Sequence, residues 1–170
     1  VESDPAPTAE SVTAALGMLK SATSPLIMVG RVSRNQADWD RRIAFAEALG
    51  ANVITNQRIA AAFPTHHPLH PNHLNYRTTA EDEALIREAD VILNLDWLDF
   101  GGTIQAAGDV GAKIVSISMD DLNSNGWSFD HHVLPAVDLP ILATPDSFVA
   151  SALLRFSEVC FCGGSLALHF

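Results

Sequence analysis

Residues 25–69 read PLIMVGRVSRNQADWDRRIAFAEALGANVITNQRIAAAFPTHHPL, and this stretch decides the fold. It opens with a short apolar run that breaks at Gly30, continues with an amphipathic repeat that ends at Gly50, and returns to an apolar run at residues 53–55. Apolar positions recurring at helical spacing predict a helix, and short apolar runs between turn residues predict strands. The stretch therefore predicts a strand, a helix and a second strand, which together form the βαβ unit of a parallel sheet.

The rest of the chain continues this alternation of helices and strands. Its further predicted elements are helices at residues 8–22, 79–88, 100–110 and from 145 onward, strands at residues 91–95 and 114–118, and short apolar runs around Val133 and Ile141. Continuous apolar strands between helices indicate a sheet that is covered on both faces. We predict one α/β domain over residues 1–157, a doubly wound (Rossmann-like), mostly parallel sheet of five or six strands with helices on both faces, followed by a C-terminal tail at 158–170.

Two local patterns refine the middle of the chain. Residues 57–63 predict a short helix, and the loop after them is too rich in proline and asparagine to be regular. Thr78 and Glu81 have the spacing of a capping box, which predicts the start of the helix at residues 79–88.

Two further expectations concern the first βαβ unit. Arg41 and Arg42 follow Asp38 by three and four residues, and this spacing predicts a solvated helix edge with ion pairs. Gly30 is expected to end the first strand in a backbone conformation with positive φ.

Composition excludes several classes of function. Of the 170 residues, 48% are apolar and 18% are charged, which is typical of a globular domain. The formal net charge of −10 has the wrong sign for a protein that tracks nucleic-acid phosphates. No apolar run reaches the length of about 20 residues that a membrane helix needs. The first residues, VESDPAPTAE, are acidic, so we expect a cytoplasmic protein, and the missing initiator Met indicates a piece of a longer chain.

The carboxyl ends of the predicted strands are where a ligand would bind in a doubly wound sheet. The candidate nucleotide-binding residues at these ends are Gly30, Arg31, Asp96, Trp97, Ser118 and Asp120. The turn after the first strand, VGRVSRN, has one glycine where dinucleotide sites carry three, so a site for NAD is disfavoured. Arg31 and Arg34 either hold a phosphate or are solvated.

No metal site or catalytic residue is predicted. His66, His67, His70 and His73 have metal-ligating composition, but only Asn and Thr accompany them, and His67 with Pro68 fits a turn. Cys160 and Cys162 are too close for an unstrained disulfide and are interpreted as free thiols in a frayed tail. Trp97, Trp127 and Phe129 are candidates for a stacking platform; the alternative is that Trp127 and Phe129 pack the loop against the sheet.

The order of these segments resembles the central domain of thiamine-diphosphate-dependent enzymes of the acetolactate synthase, pyruvate oxidase and benzaldehyde lyase kind. The resemblance covers about residues 8–157. It is carried by Gly30-Arg31, Phe63-Pro64, His67-Pro68, Ala89-Asp90 and Ala112-Lys113-Ile114.

The chain departs from this family where members that bind FAD hold their cofactor. In place of Gly-Met-x-Gly it has Asn72-His73-Leu74-Asn75, and in place of Leu-Gly-Ala-Arg it has Leu95-Asp96-Trp97-Leu98. In place of Ile-Asp-Ile-Asp it has Ile117-Ser118-Met119-Asp120, which keeps only the second acid. Side chains at glycine positions block the close passage of a ligand, so FAD is not expected.

The resemblance implies a non-catalytic domain. The glutamate that activates thiamine diphosphate, and the Gly-Asp-Gly motif that places Mg²⁺ and the diphosphate, belong to the flanking pyrimidine- and diphosphate-binding domains of such enzymes. This chain would then be a structural spacer and a wall of the substrate channel in a carboligase or decarboxylase. The parent enzyme would use thiamine diphosphate and Mg²⁺ and would be a homo-oligomer.

Two alternatives stay open. The chain could be an autonomous nucleotide-binding module that holds ADP, CoA or a degenerate flavin in the crevice. It could also be an unrelated doubly wound domain that acts only through contacts with other proteins, because fold alone does not settle function.

Overall fold

The computed structural model of the protein describes residues 5–55, 57–72, 78–120 and 136–161, with side chains described as far as residue 156. Within these ranges the chain forms five strands and five helices in the predicted alternation. The elements are α1 (Ala9–Ser21), β1 (Pro25–Val29), α2 (Gln36–Leu49), β2 (Asn52–Ile54), α3 (Ala80–Glu88), β3 (Val91–Leu95), α4 (Phe100–Ala107), β4 (Lys113–Ser118), β5 (Leu139–Leu142) and α5 (Pro145–Phe161).

The strands form one sheet in the order β2-β1-β3-β4-β5, and every described pair is parallel. This confirms the predicted doubly wound α/β fold. The central strands β1 and β3 are buried along their whole length, as the continuous apolar runs predict. At one edge, the backbone N–H of Val53 in β2 donates to the carbonyl of Leu69 at 2.7 Å, so the loop after β2 covers that edge.

Two apolar layers lie on the two faces of the sheet. α1, α2 and α5 pack on one face, where Phe45 meets Phe148 and Phe156 edge to face at centroid distances of 6.3 and 6.0 Å. α3 and α4 pack on the other face through Ile86 and Phe100. Within the described residues, no helix is both long enough and apolar enough to cross a membrane.

Two local predictions in the middle of the chain are wrong. Residues 57–63 form turns and bends, because Ala61 has a left-handed backbone with φ of 55° that a right-handed helix does not admit. The capping box before α3 lies one residue later than predicted. Thr79 accepts from the N–H of Asp82 at 3.2 Å, and Asp82 accepts from the N–H of Thr79 at 2.9 Å.

The predicted ion pairs of α2 are correct for one arginine and wrong for the other. Arg41 pairs with Asp38 at 2.6 Å on the helix surface. Arg42 points inward and is only 2% exposed, so it takes no part in a solvated edge.

At the C-terminal end, α5 runs to Phe161 and so continues past residue 157, where we placed the end of the domain. Cys160 lies within this helix, whereas Cys162, Val133 and the aromatic pair Trp127 and Phe129 lie outside the described residues.

Candidate functional site

The predicted crevice lies at the carboxyl edge of the sheet. The chain leaves β1 toward β2 on one side and returns to β3 on the other, so the winding reverses between β1 and β3. In doubly wound sheets this reversal point is the usual ligand site. Gly30 follows β1, and Asp96 follows β3, so the structure brings these two predicted residues together at the reversal point.

The backbones that follow β1 and β3 are in direct contact at the reversal point. The N–H of Gly30 donates to the carbonyl of Leu95 at 2.9 Å, and the N–H of Arg31 donates to the carbonyl of Asp96 at 2.9 Å. A Cβ on Gly30 would lie 2.1 Å from the Asp96 carbonyl oxygen and 2.4 Å from the Trp97 Cα. The β1 and β3 chains therefore touch where a ligand would enter between them.

The expected positive φ at Gly30 is wrong. Among the described glycines, only Gly50 and Gly108 have positive φ, whereas at the reversal point the left-handed backbone belongs to Asp96, with φ of 55°. Glycine is required at position 30 because a neighbouring backbone leaves no room for a side chain.

The side chain of Arg31 is held at the crevice by two carboxylates of the same chain. Its Nε lies 2.8 Å from Asp96 Oδ2 and its Nη2 lies 2.9 Å from Asp96 Oδ1, which makes a two-point ion pair. Nη2 also pairs with Asp120. Burial alone would lower the pKa of Arg31, but hydrogen bonds to Asp96 and Asp120 outweigh it and raise that pKa.

Ser118 completes this arrangement. Its hydroxyl donates to Asp96 Oδ1 at 2.7 Å and accepts from the N–H of Asp120 at 2.9 Å. We call Arg31, Asp96, Ser118 and Asp120 the edge cluster. One cation faces two carboxylates in it, so the edge cluster does not present a net positive charge to a phosphate.

Trp97 lies apart from the edge cluster although it follows Asp96 in the chain. Its side chain is buried in the apolar layer beneath α3 and α4. Its indole Nε1 donates to Thr103 Oγ1 at 2.9 Å, and its backbone N–H donates to Asn94 Oδ1 at 2.8 Å. The indole ring is therefore a core group, with its polar atom satisfied inside the protein.

The helix that follows β3 does not offer a free N-terminus to an anion. Asp99 is the N-cap of α4, and its Oδ1 accepts from the N–H of Gly102 at 3.2 Å. The exposed N–H groups at a helix start attract phosphates in nucleotide-binding folds. Here the chain places its own carboxylate at that position.

Sequence reasoning missed the buried Arg42. Its guanidinium pairs with Asp146 in the first turn of α5, donates to the carbonyl oxygens of Ala62 and Ser33 at 3.0 Å each, and donates to the Ala61 carbonyl at 3.1 Å. Asp146 also accepts from the N–H of Ser33 at 2.6 Å. Arg42 thus joins α2, α5 and two loops. The sequence contained one signal of this burial: Arg42 lies three and four residues before Phe45 and Ala46, which are apolar and buried in the same helix.

Beside Arg42, an open groove of about 650 Å³ lies at the carboxyl end of β2. Its lining includes Trp39, Thr55, Ala61, Phe63, Pro64 and His66. Because Arg42 holds the carbonyls of Ala61 and Ala62, the ion pair fixes one side of this groove.

The histidines after β2 do not converge on one point. His66 is exposed, His67 pairs with Glu47 on α2 at 3.2 Å, and His70 is buried against Thr55. No group of three potential ligands for a metal ion occurs in the part of the chain that the structure describes. His73 lies outside it.

Comparison with known proteins decides the family. Residues 12–150 match the family described as the thiamine pyrophosphate enzyme, central domain. The chain belongs to this family. Sulfoacetaldehyde acetyltransferase from Alcaligenes xylosoxydans xylosoxydans is 34% identical over 118 residues, which cover 66% of this chain and 20% of the relative. The enzyme of the same name from Rhodobacter capsulatus is 38% identical over 122 residues, with 70% of this chain and 20% of the relative covered.

Solved structures agree with this central-domain fold. Benzoylformate decarboxylase from Polynucleobacter necessarius superposes with a TM-score of 0.62 at 22% identity, covering 91% of this chain and 28% of that one. A protein from Mycobacterium smegmatis described as thiamin diphosphate-dependent gives a TM-score of 0.60 at 20% identity, with 94% and 29% covered. The central domain thus spans about a fifth of the curated relatives' length.

Proposed function

We propose that this central domain is a non-catalytic structural spacer and channel wall in a thiamine-diphosphate-dependent carboligase or decarboxylase. The observation that carries the proposal is the edge cluster. Arg31 is paired at the crevice with two carboxylates of the same chain, and the backbones of Gly30 and Asp96 are in contact there. A crevice whose charged groups are paired with one another suits a domain that transmits position rather than one that binds a coenzyme.

A spacer needs a stiff body, and two features supply it. The sheet is covered by apolar layers on both faces. The buried pair of Arg42 and Asp146 adds directional bonds between α2, α5 and the loops beside them. Directional hydrogen bonds resist sliding between helices in a way that apolar contacts alone do not.

The carboxyl edge also offers an apolar surface for a neighbouring domain. Met119, which follows β4, is 42% exposed, and Leu142, which ends β5, is 58% exposed. Ser118 and Leu142 are register partners, so the two exposed residues lie on adjacent strand ends. Exposed apolar groups beside Arg31 and Asp120 fit a contact with the flanking pyrimidine- or diphosphate-binding domain of the parent chain.

The parent enzyme is proposed to use thiamine diphosphate with Mg²⁺, to resemble acetolactate synthase in organisation, to act as a homo-oligomer and to work in the cytoplasm. The identity with two sulfoacetaldehyde acetyltransferases favours a transferase, and sulfoacetaldehyde is the substrate class to test first. Benzoylformate decarboxylase is 22% identical, so its similarity supports the fold and not the reaction.

The first prediction concerns thiamine diphosphate. Titrating the coenzyme with Mg²⁺ into the isolated chain is expected to give no binding isotherm in a calorimeter, because the activating glutamate and the motif that places Mg²⁺ and the diphosphate belong to other domains of such enzymes. The full-length parent enzyme, titrated under the same conditions, is the positive control. Tight, Mg²⁺-dependent binding to the isolated chain would contradict the spacer role.

The second prediction separates the spacer from a nucleotide-binding module. The feature that favours such a module is Asp120, whose half-exposed carboxylate lies where a ribose would bind. We expect millimolar ADP, CoA or FAD to leave the melting temperature unchanged, since Asp120 is already paired with Arg31. A ligand at 100 times its Kd would add about 2.7 kcal/mol to the free energy of unfolding, which a thermal shift assay detects.

Two variants make this assay decisive. Asp120→Ala removes the ribose partner, and Asp109→Ala removes an exposed carboxylate beyond the far end of α4. A ligand-induced shift that disappears in Asp120→Ala and persists in Asp109→Ala would establish the nucleotide-binding alternative.

A further inference from the structure

His70 is a titratable group buried without a charged partner on its ring. It is 6% exposed, its Nε2 lies 2.9 Å from Thr55 Oγ1, and its ring stacks on Phe63 with centroids 6.4 Å apart and an angle of 20° between planes. One hydrogen bond and one apolar contact thus hold an imidazole in the interior.

The second ring nitrogen gives the site its chemistry. His70 Nδ1 is buried and has no hydrogen-bond partner among the described residues. A neutral imidazole has one donor and one acceptor nitrogen, whereas the protonated ring has two donors, both of which need acceptors. Thr55 can accept from one of them. Protonation would therefore add an N–H at Nδ1, which has no hydrogen-bond partner among the described residues, to a buried cation, and this is costly.

The charged groups around His70 do not offset this cost. Asp82 on α3 carries a carboxylate whose charge acts on the ring, and its oxygens already accept from Thr79 N at 2.9 Å and from Asn72 Nδ2 at 2.7 Å. Glu47 on α2 is paired with His67. Thr55, which follows β2, is uncharged. Burial lowers the pKa of His70 below its ordinary value, and it outweighs the opposing effects of the backbone of His70 and Asn72 and of the Asp82 charge.

His70 lies in a segment that is attached to the edge of β2. We call residues 63–72 the His-Pro segment. Its Leu69 carbonyl accepts from Val53 N in β2 at 2.7 Å, and its His70 N–H closes a turn onto the His67 carbonyl at 2.9 Å. The hydrogen bond between His70 and Thr55 is therefore a side-chain contact close to the backbone bond that joins Leu69 to Val53.

We propose that His70 is a proton-sensitive latch, which holds the His-Pro segment on β2 while the imidazole is neutral and releases the segment when mild acid protonates it. Release would also loosen one end of the groove, because Thr55 and Phe63 line it. The latch acts within the chain itself and does not depend on the spacer role.

The sign of the pH dependence follows from linkage. The folded form binds the proton less readily than the open form, whose histidine titrates near pH 6.5. The stabilisation by the latch is complete above that pH. This stabilisation is lost as the pH falls from about 6.5 toward the lowered pKa of the folded form. Within this pH range the equilibrium constant for opening rises by up to about tenfold per pH unit.

Hydrogen exchange of the whole chain from pH 7.5 to 5.0 tests the latch. After correction for the intrinsic pH dependence of exchange, amides of the His-Pro segment and of Val53 are expected to open up to about tenfold more per pH unit below 6.5. Amides of β3 should not change. His70→Gln keeps a group able to bond Thr55 but does not titrate, so it should abolish the step, and the exposed His66→Gln should keep it.

The proposal is overturned if the unmodified chain shows no step, or if the step survives in His70→Gln. NMR titration of the histidine ring protons in the unmodified chain gives a second reading that needs no variant. His70 is expected to titrate below pH 6.5, and a value at or above 6.5 would also overturn the latch.

Discussion

Replacing Arg42 by methionine is expected to lower the free energy of unfolding by about 3–5 kcal/mol, the usual cost of removing one partner of a buried ion pair. The variant leaves the Asp146 carboxylate without its cation and the carbonyls of Ser33, Ala61 and Ala62 without their donor. Methionine matches the arginine stem in length, so the loss reports the polar bonds rather than a large cavity. Urea unfolding followed by circular dichroism measures it.

The neighbouring arginine is a matched control. Arg41→Met removes the exposed pair with Asp38, and such surface pairs contribute about 0–1 kcal/mol. A double variant, Arg42→Met with Asp146→Leu, should recover part of the loss because no buried charge stays unpaired. Equal destabilisation by the two single arginine variants would show that Arg42 does not act through the buried pair.

The other large effect is expected at the reversal point of the sheet. Gly30→Ala should lower the free energy of unfolding by about 1–3 kcal/mol, as is common when a packed site is overfilled. The added Cβ would meet the backbone of Asp96 and Trp97, which cannot rotate away as a side chain would. Moving that backbone also disturbs the Asp96 carboxylate that holds Arg31.

Gly17 offers a control substitution that is expected to change the free energy of unfolding in the opposite direction. It lies within α1, and a Cβ placed on it would have no heavy atom within 4 Å. Gly17→Ala is therefore expected to stabilise the chain by up to about 1 kcal/mol through helix propensity. If Gly30→Ala were as stable as the unmodified chain, β1 and β3 would not approach each other as closely as described.

The elements that sequence predicted well have a strong local cause. β1 and β3 are continuous apolar runs, and α1 and α2 directly follow Thr8 and Asn35, whose side chains cap them. Periodicity and capping chemistry act within a few residues, so a sequence displays them directly.

The failures have causes that lie far along the chain. Arg42 is buried because Asp146, more than a hundred residues away, meets it across the domain. The carbonyls of residues 61 and 62 bond to Arg42, which together with the left-handed Ala61 accounts for the missing helix at residues 57–63. Position 30 has no room for a side chain because the backbone of Asp96 lies against it. Local patterns do not contain these partners.

The candidate site shows the same division. Its position could be predicted, because parallel strands end at one edge and Gly30, Arg31, Asp96, Ser118 and Asp120 all follow or end strands there. The pairing of Arg31 with Asp96 and Asp120 at this site could not be predicted from the sequence. Whether Arg31 faces an incoming anion or an internal carboxylate depends on the register of β1, β3 and β4, which the pairing of Val29 with Leu95 and of Leu95 with Ile117 sets.

The order of the strands also determines how the domain can assemble. Because every described pairing is parallel, no hairpin joins two of the described strands, and each new pairing between them must close a loop of chain first. β1 can find β2 through the short connection of α2, but its pairing with β3, Leu26 opposite Ile92, waits for a much longer closure. The middle of the sheet is thus completed late, and until then one edge of the central strand is open to pairing with other chains.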